Sequence, residues 1–279
     1  MRIRVTHRTR YTYAPPAKGA IQLLRLTPRG YDGQHVRAWR LDADCDCRLR
    51  PGEDALGNVT HTFNADGPLE SLVITVEGEV ETQDTAGVVR GTVEPFPPAL
   101  FLRDTALTTA DEEIRAFAAE GAAEAGADAL GLMHAMTARL HANMRFEIGA
   151  TDAATAAAEA FGRAHGVCQD FAHVLIAAAR SRDIPARYVS GYLVRSDGAV
   201  EQDAGHAWVE AHVEGLGWVG FDPANGISPS DAYVRVAVGL DYLGAAPVLG
   251  ARHGGGRESL SVEVRVEGAP PQMQTQSQS

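Results

Sequence analysis

Residues 166–180 read GVCQDFAHVLIAAAR. Phe171, Val174, Leu175 and Ala178 recur at i, i+3, i+4 and i+7, with Gly166 just ahead of them, so a helix is expected over 167–182. Cys168 lies three residues before Phe171, at the start of that helix and on its inward face. The first N–H groups of a helix lack carbonyl partners and form the positive end of its dipole, which favours a thiolate and can hold a developing oxyanion. A small cysteine buried at a cap explains this segment equally well.

A nucleophilic cysteine needs a base, and two short strands downstream offer one. In 205–210, GHAWVE, alternation puts His206, Trp208 and Glu210 on one face; in 218–223, WVGFDP, it puts Trp218, Gly220 and Asp222 on one face. The link Gly215-Leu216-Gly217 favours an antiparallel pair. A three-residue loop over those positions sets Asp222 opposite Glu210 and His206 level with Asn225 or Gly226. Both side chains then share a face, but a bulge or a kink at Pro223 has to close the distance along the strands. If they meet, His206 pairs with Cys168 and later protonates a leaving amine, while Asp222 fixes the imidazole tautomer and stabilises its charged form.

With these residues in place, the runs GVCQDFAHVLIAAARSRDIPARYVSGYL (166–193) and GHAWVEAHVEGLGWVGFDPANG (205–226) resemble the core of the bacterial transglutaminase-like superfamily. The resemblance extends back through 146–158 to the N-terminal region that accompanies such cores. It implies a papain-like cysteine fold in which Cys168, His206 and Asp222 match the catalytic triad. Members pass a glutamine acyl group to an amine, or act as proteases and amidases that pass an acyl group to water. No acidic loop resembles the calcium sites of the animal enzymes, so the resemblance implies neither a metal nor another cofactor.

The rest of the chain supplies the frame. Its 279 residues are 45% apolar and 22% charged, which suits a globular protein of two domains. Ile3, Val5, His7, Thr9, Tyr11 and Tyr13 alternate with basic or polar neighbours, and further strands are expected at 20–27, 36–42, 59–64 and 69–81. Intervening turn residues suit a β-sandwich-like domain over 1–93. Glu94-Pro95-Phe96-Pro97-Pro98 marks its end. Thr109 and Glu112 form a capping-box pattern, Met133, Met136, Leu140 and Met144 make a helical core stripe, and a third helix is expected over 152–163. Strands follow at 185–194, 204–213 and 217–222. The fold class is therefore α+β, with a helix bundle packed on an antiparallel sheet in a catalytic domain over 94–268, and a disordered tail over 269–279.

A formal charge of −11 argues against nucleic acid. The basic residues clustered in 1–50 alternate with apolar ones and read as solvated strand faces. Three cysteines are too few for a disulfide framework, and neither an apolar leader nor a membrane-length apolar window is present, so a reducing, cytoplasmic setting is expected. His165, Cys168, Asp170 and His173 do not fit a tetrahedral zinc spacing. Asp170 reads as a charge favourable to the helix dipole, His173 as a helix-surface or supporting residue, and Cys45 and Cys47 as ordinary strand residues. Tyr192, Trp208 and Trp218 either line a substrate groove or fill the core. The expected activity is acyl transfer from a peptide or protein amide through a thioester on Cys168, with hydrolysis of a peptide or isopeptide-like bond preferred. Transfer to a primary amine is the alternative, as is a binding module with a vestigial triad.

Overall fold

In the first strand, β1 (Arg2–Leu24), alternation works as expected: Ile3, Val5, His7, Thr9, Tyr11 and Tyr13 are buried while Arg4, Arg8 and Arg10 are exposed. The computed structural model describes residues 1–125 and 128–269. Of the tail expected over 269–279, residues 270–279 lie outside the described residues. Strands β2 (Gln34–Ala43), β3 (Arg48–Glu53), β4 (Val59–Thr82) and β5 (Val88–Val89) follow. Several expected short strands are thus two long ones, because β1 and β4 stay paired past their prolines through register shifts between Thr12 and Gly19. β2 flanks one half of β4 and β3 the other. Tyr11 and Ile74 share a hydrophobic cluster with Leu24 and Phe63, so both halves of the long strands contribute to one core. Cys45 and Cys47 lie in the bend between β2 and β3 rather than in a strand. Asp44 takes the Val73 N–H on its carboxylate at 2.7 Å and thereby turns the chain out of the ladder.

Helix α1 (Glu112–Ala125) is capped by Asp111, whose Oδ1 accepts from Ile114 N at 2.9 Å. The Thr109 capping box does not form, because the Thr109 hydroxyl donates backwards to the Thr105 carbonyl. Helix α2 (Ala129–Asn143) buries Met133, Met136 and Leu140 as its stripe requires. The short β6 (Arg145–Phe146) precedes α3 (Ala157–Arg163), which begins later than expected. Asp152 accepts the Ala154 N–H and Thr155 the Asp152 N–H, a local turn that competes with helix.

The central helix α4 (Cys168–Arg180) follows β7 (His165–Gly166), which pairs in parallel with β6. Every residue from Asp170 to Arg180 is buried. Next come β8 (Ala186–Leu193), β9 (Glu201–Gln202), β10 (His206–Val213), β11 (Gly217–Phe221) and β12 (Tyr233–Gly239), then the single turn α5 (Tyr242–Ala245), β13 (Val248–Gly254) and β14 (Arg257–Ala269). A five-stranded antiparallel sheet runs β12-β8-β10-β11-β5, with α4 packed on β8 and β10 and α1, α2 and α3 around α4.

The two sheets exchange chain segments across the boundary expected at 94–98. β5 joins the edge of the second sheet, whereas β13 and β14, expected within 94–268, pair with β1 in the first, and β9 lies at its edge beyond β14. β1 is a central strand that pairs with β4 on one edge and needs partners on the other. Ile3 and Val5 of β1 and Val264 and Val266 of β14 accordingly sit in the same apolar cluster as Phe171 and Leu175 of α4. No helix among the described residues is long and apolar enough to cross a membrane.

Candidate functional site

Cys168 is the first residue of α4, and its surroundings fix the chain there tightly. Asp170 Oδ2 accepts from Val167 N at 2.7 Å and from Thr151 Oγ1 at 2.6 Å. A Cβ on Gly166 would stand 2.5 Å from that same oxygen, so the approach of strand to helix requires glycine. Burial pushes the Asp170 carboxyl upward, against these hydrogen bonds, which hold it down. Asp170 is therefore more than a dipole charge: it is the clasp that sets the backbone at Cys168.

His206 opens β10 opposite Gly191 of β8. Its Nε2 lies 2.6 Å from Asp222 Oδ2. The real link between β10 and β11 is Glu214-Gly215-Leu216, with Val213 paired to Gly217 and Glu210 to Gly220. Compared with the expected register, Asp222 moves two residues along, to the position beyond Phe221 and diagonal to His206, within side-chain reach without a bulge. The chain then turns at Pro223, and the turn holds the carboxylate: Asp222 Oδ1 accepts from Ala224 N at 3.0 Å and Asn225 N at 3.2 Å.

Two residues that the sequence reading did not single out complete this arrangement. Asn225 Nδ2 and the Tyr233 hydroxyl each donate to Asp222 Oδ2 at 2.7 Å. Asn225 has a local signal, an amide two residues beyond an Asp-Pro; Tyr233 comes from β12, on the far side of β8 from β10, and has none. Burial favours the neutral carboxyl of Asp222, but His206, Asn225 and Tyr233 overcome it and hold the pKa below the usual carboxylate range. For His206 burial likewise disfavours the charged form, yet Asp222 and the Cys168 side chain outweigh it and raise the imidazole pKa well above 6.5. The structure thus joins His206 to Asp222 by a hydrogen bond and sets Cys168 beside His206 on the lining of one cavity.

Other singled-out residues fall elsewhere. His173 is fully buried rather than at the helix surface, because it accepts the Tyr242 N–H on Nε2 at 3.0 Å; burial pushes its pKa down to about 4. Trp208 packs under His206 and against Tyr233, and Trp218 lies beneath the Arg187 guanidinium at 3.9 Å; both are core. Tyr192 borders a cavity of about 260 Å³ that also reaches Cys168 and His206. Glu210 is buried between Arg187 and Arg235, which hold its pKa near 2 against the effect of burial.

A cysteine at a helix N-terminus beside a histidine oriented by a buried carboxylate belongs to the cysteine-dependent, amide-acting class of papain-like proteins. Residues 115–223 match the transglutaminase-like superfamily and residues 3–81 the bacterial transglutaminase-like N-terminal region. The Mycobacterium leprae uncharacterized protein ML0607 is 31% identical over 279 residues, covering 95% of this chain and 98% of that one. The Mycobacterium tuberculosis uncharacterized protein Rv2569c is 27% identical, covering 96% and 93%. The crystal structure of a candidate cysteine protease from Cytophaga hutchinsonii superposes with a TM-score of 0.75 at 20% identity, covering 96% of this chain and 90% of that one. The chain belongs to the transglutaminase-like superfamily.

Proposed function

We propose that this protein cleaves an amide bond of a peptide or protein through a thioester on Cys168 and passes the acyl group to water. The observation that carries the reading is His206, hydrogen-bonded to Asp222 at 2.6 Å and lining the same cavity as Cys168. With Nε2 engaged by Asp222, Nδ1 is the nitrogen that exchanges a proton with the sulfur. The thiolate adds to the amide carbon, and the oxyanion that forms is met by the unpaired N–H groups at the start of α4. Collapse of this intermediate breaks the C–N bond, and the imidazolium gives its proton to the departing amine. A water molecule then adds to the thioester, His206 takes its proton, and the sulfur leaves as thiolate with a carboxylic acid as product. Asp222 keeps the imidazole in one tautomer and stabilises its charged form throughout.

Water is preferred as acceptor because it needs no acceptor subsite. The single lysine, Lys18, also means that the chain is poorly equipped as its own amine donor. Incubation with a glutamine peptide and a labelled primary amine separates the readings. Hydrolysis predicts free acid without incorporated amine; incorporation that disappears in Cys168→Ala overturns the hydrolytic reading. A reactive thiol also predicts rapid alkylation of Cys168 by iodoacetamide, and slower alkylation in His206→Ala. Alkylation at the rate of an ordinary thiol overturns the enzymatic reading altogether.

A further inference from the structure

The cavity that meets Cys168 and His206 is not made by the second sheet alone. Tyr11, Leu26, Val248 and Val262, carried by the first sheet or its flanking chain, line it together with Tyr192 and Tyr242. Several of its polar side chains are already hydrogen-bonded. His7 sits 2.9 Å from the Tyr192 hydroxyl through Nδ1 and 3.0 Å from Thr9 Oγ1 through Nε2, and Ser190 donates to the Ala245 carbonyl at 2.8 Å. Burial keeps His7 neutral by lowering its pKa to about 4. Arg25 also lines the cavity, but its charge is met by Asp54 at 2.8 Å; its Nη1 is buried without a partner and is a spare donor for a peptide carbonyl.

We propose that this cavity is the subsite for the acyl side of the scissile amide and selects a large, uncharged apolar or aromatic side chain, with the N-terminal sheet supplying the selecting wall. The proposal rests on Cys168 being the nucleophile. The acyl group stays bonded to the sulfur after the amine has left, and Cys168 lines the cavity together with its neighbours Val167 and Gln169. A subsite bordering the sulfur therefore holds that group through both half-reactions. An apolar side chain gains from leaving water, whereas a glutamine or glutamate side chain would give up its hydration against tyrosine rings and aliphatic groups, with the spare Arg25 donor engaged by the peptide carbonyl. The N-terminal β-domain is, on this account, part of the specificity site.

Peptidyl vinyl sulfones test this without requiring turnover, since they carry an acyl-side residue and alkylate the cysteine directly. A series with Leu, Phe, Ala, Gln or Glu at that position is incubated with the full chain, and the second-order rate of Cys168 labelling is read by intact mass, normalised to labelling by iodoacetamide. Leu and Phe probes are expected to react at least about tenfold faster than Ala, Gln or Glu probes, the discrimination an apolar pocket supplies. Leu260 is 56% exposed and lines the cavity, so Leu260→Asn perturbs the wall with little risk to folding; Val262→Asn is the second variant. Both are expected to bring the Leu-to-Ala ratio toward one. A flat series on wild-type protein that iodoacetamide labels rapidly, or a ratio unchanged in both folded variants, overturns the subsite and leaves the nucleophile standing. Slow labelling by every probe and by iodoacetamide overturns both.

Discussion

Replacing Glu210 by Gln tests the electrostatics of the second sheet most directly. The Glu210 side chain is 1% exposed, with Arg187 Nε 2.7 Å from Oε2 and Arg235 Nε 2.7 Å from Oε1. Burial raises its pKa, but Arg235 and Arg187 more than reverse this and take it from 4.5 to about 2. At about 1.4 kcal/mol per unit, that is a contribution of about 3 kcal/mol from the charged form. The same scale follows from removing one member of a buried ion pair, which costs about 3–5 kcal/mol because the partners remain buried. Gln keeps the shape and removes only the charge, so urea unfolding at pH 7 should show a loss of about 3 kcal/mol. Thermal unfolding should show a fall in Tm of roughly 6–12 °C, at 2–4 °C per kcal/mol for a chain of this size. Because the folded pKa is depressed, the contribution is fully present above about pH 4.5 and disappears as pH falls toward about 2. The gap between wild type and variant must therefore narrow on acidification. A variant within about 0.5 kcal/mol of wild type at pH 7, the range of an ordinary surface change, or a gap that is constant from pH 7 to pH 3, refutes the reasoning.

Three further outcomes are expected. Asp222→Asn should lower kcat/KM for a cleaved peptide by about a thousandfold or more, the scale for losing the orienting carboxylate, while a loss below tenfold would remove Asp222 from the proposed role. His206 should carry protons on both ring nitrogens at pH 8 by ¹⁵N NMR; since its folded pKa is raised above 6.5, its stabilising effect is complete below about pH 6.5 and is lost as pH rises through the folded value, and a neutral ring at pH 7 contradicts this. Gly166→Ala should cost about 1–3 kcal/mol by overpacking against Asp170 and slow iodoacetamide labelling of Cys168, whereas wild-type labelling with wild-type stability would show that the clasp does not set the cysteine.

The sequence by itself determined the features that depend on local period. Helical spacing placed Cys168 at the N-terminus of the helix that became α4, and strand alternation put His206 and Asp222 on one face. It left the strand register open: a side-chain period of two fixes the face, but two three-residue links, 214–216 or 215–217, differ by a whole step along the strand. Tertiary structure made that choice and so brought Asp222 diagonal to His206. It also brought Tyr233 to Asp222 and Arg235 to Glu210, pairs made across β-strands that no spacing along the chain anticipates. The return of β13 and β14 to β1 belongs with these. A strand's own residues specify which face is apolar, while the neighbour that takes its backbone hydrogen bonds is chosen by the packing of the whole chain, and that choice put the N-terminal sheet against the cavity at Cys168.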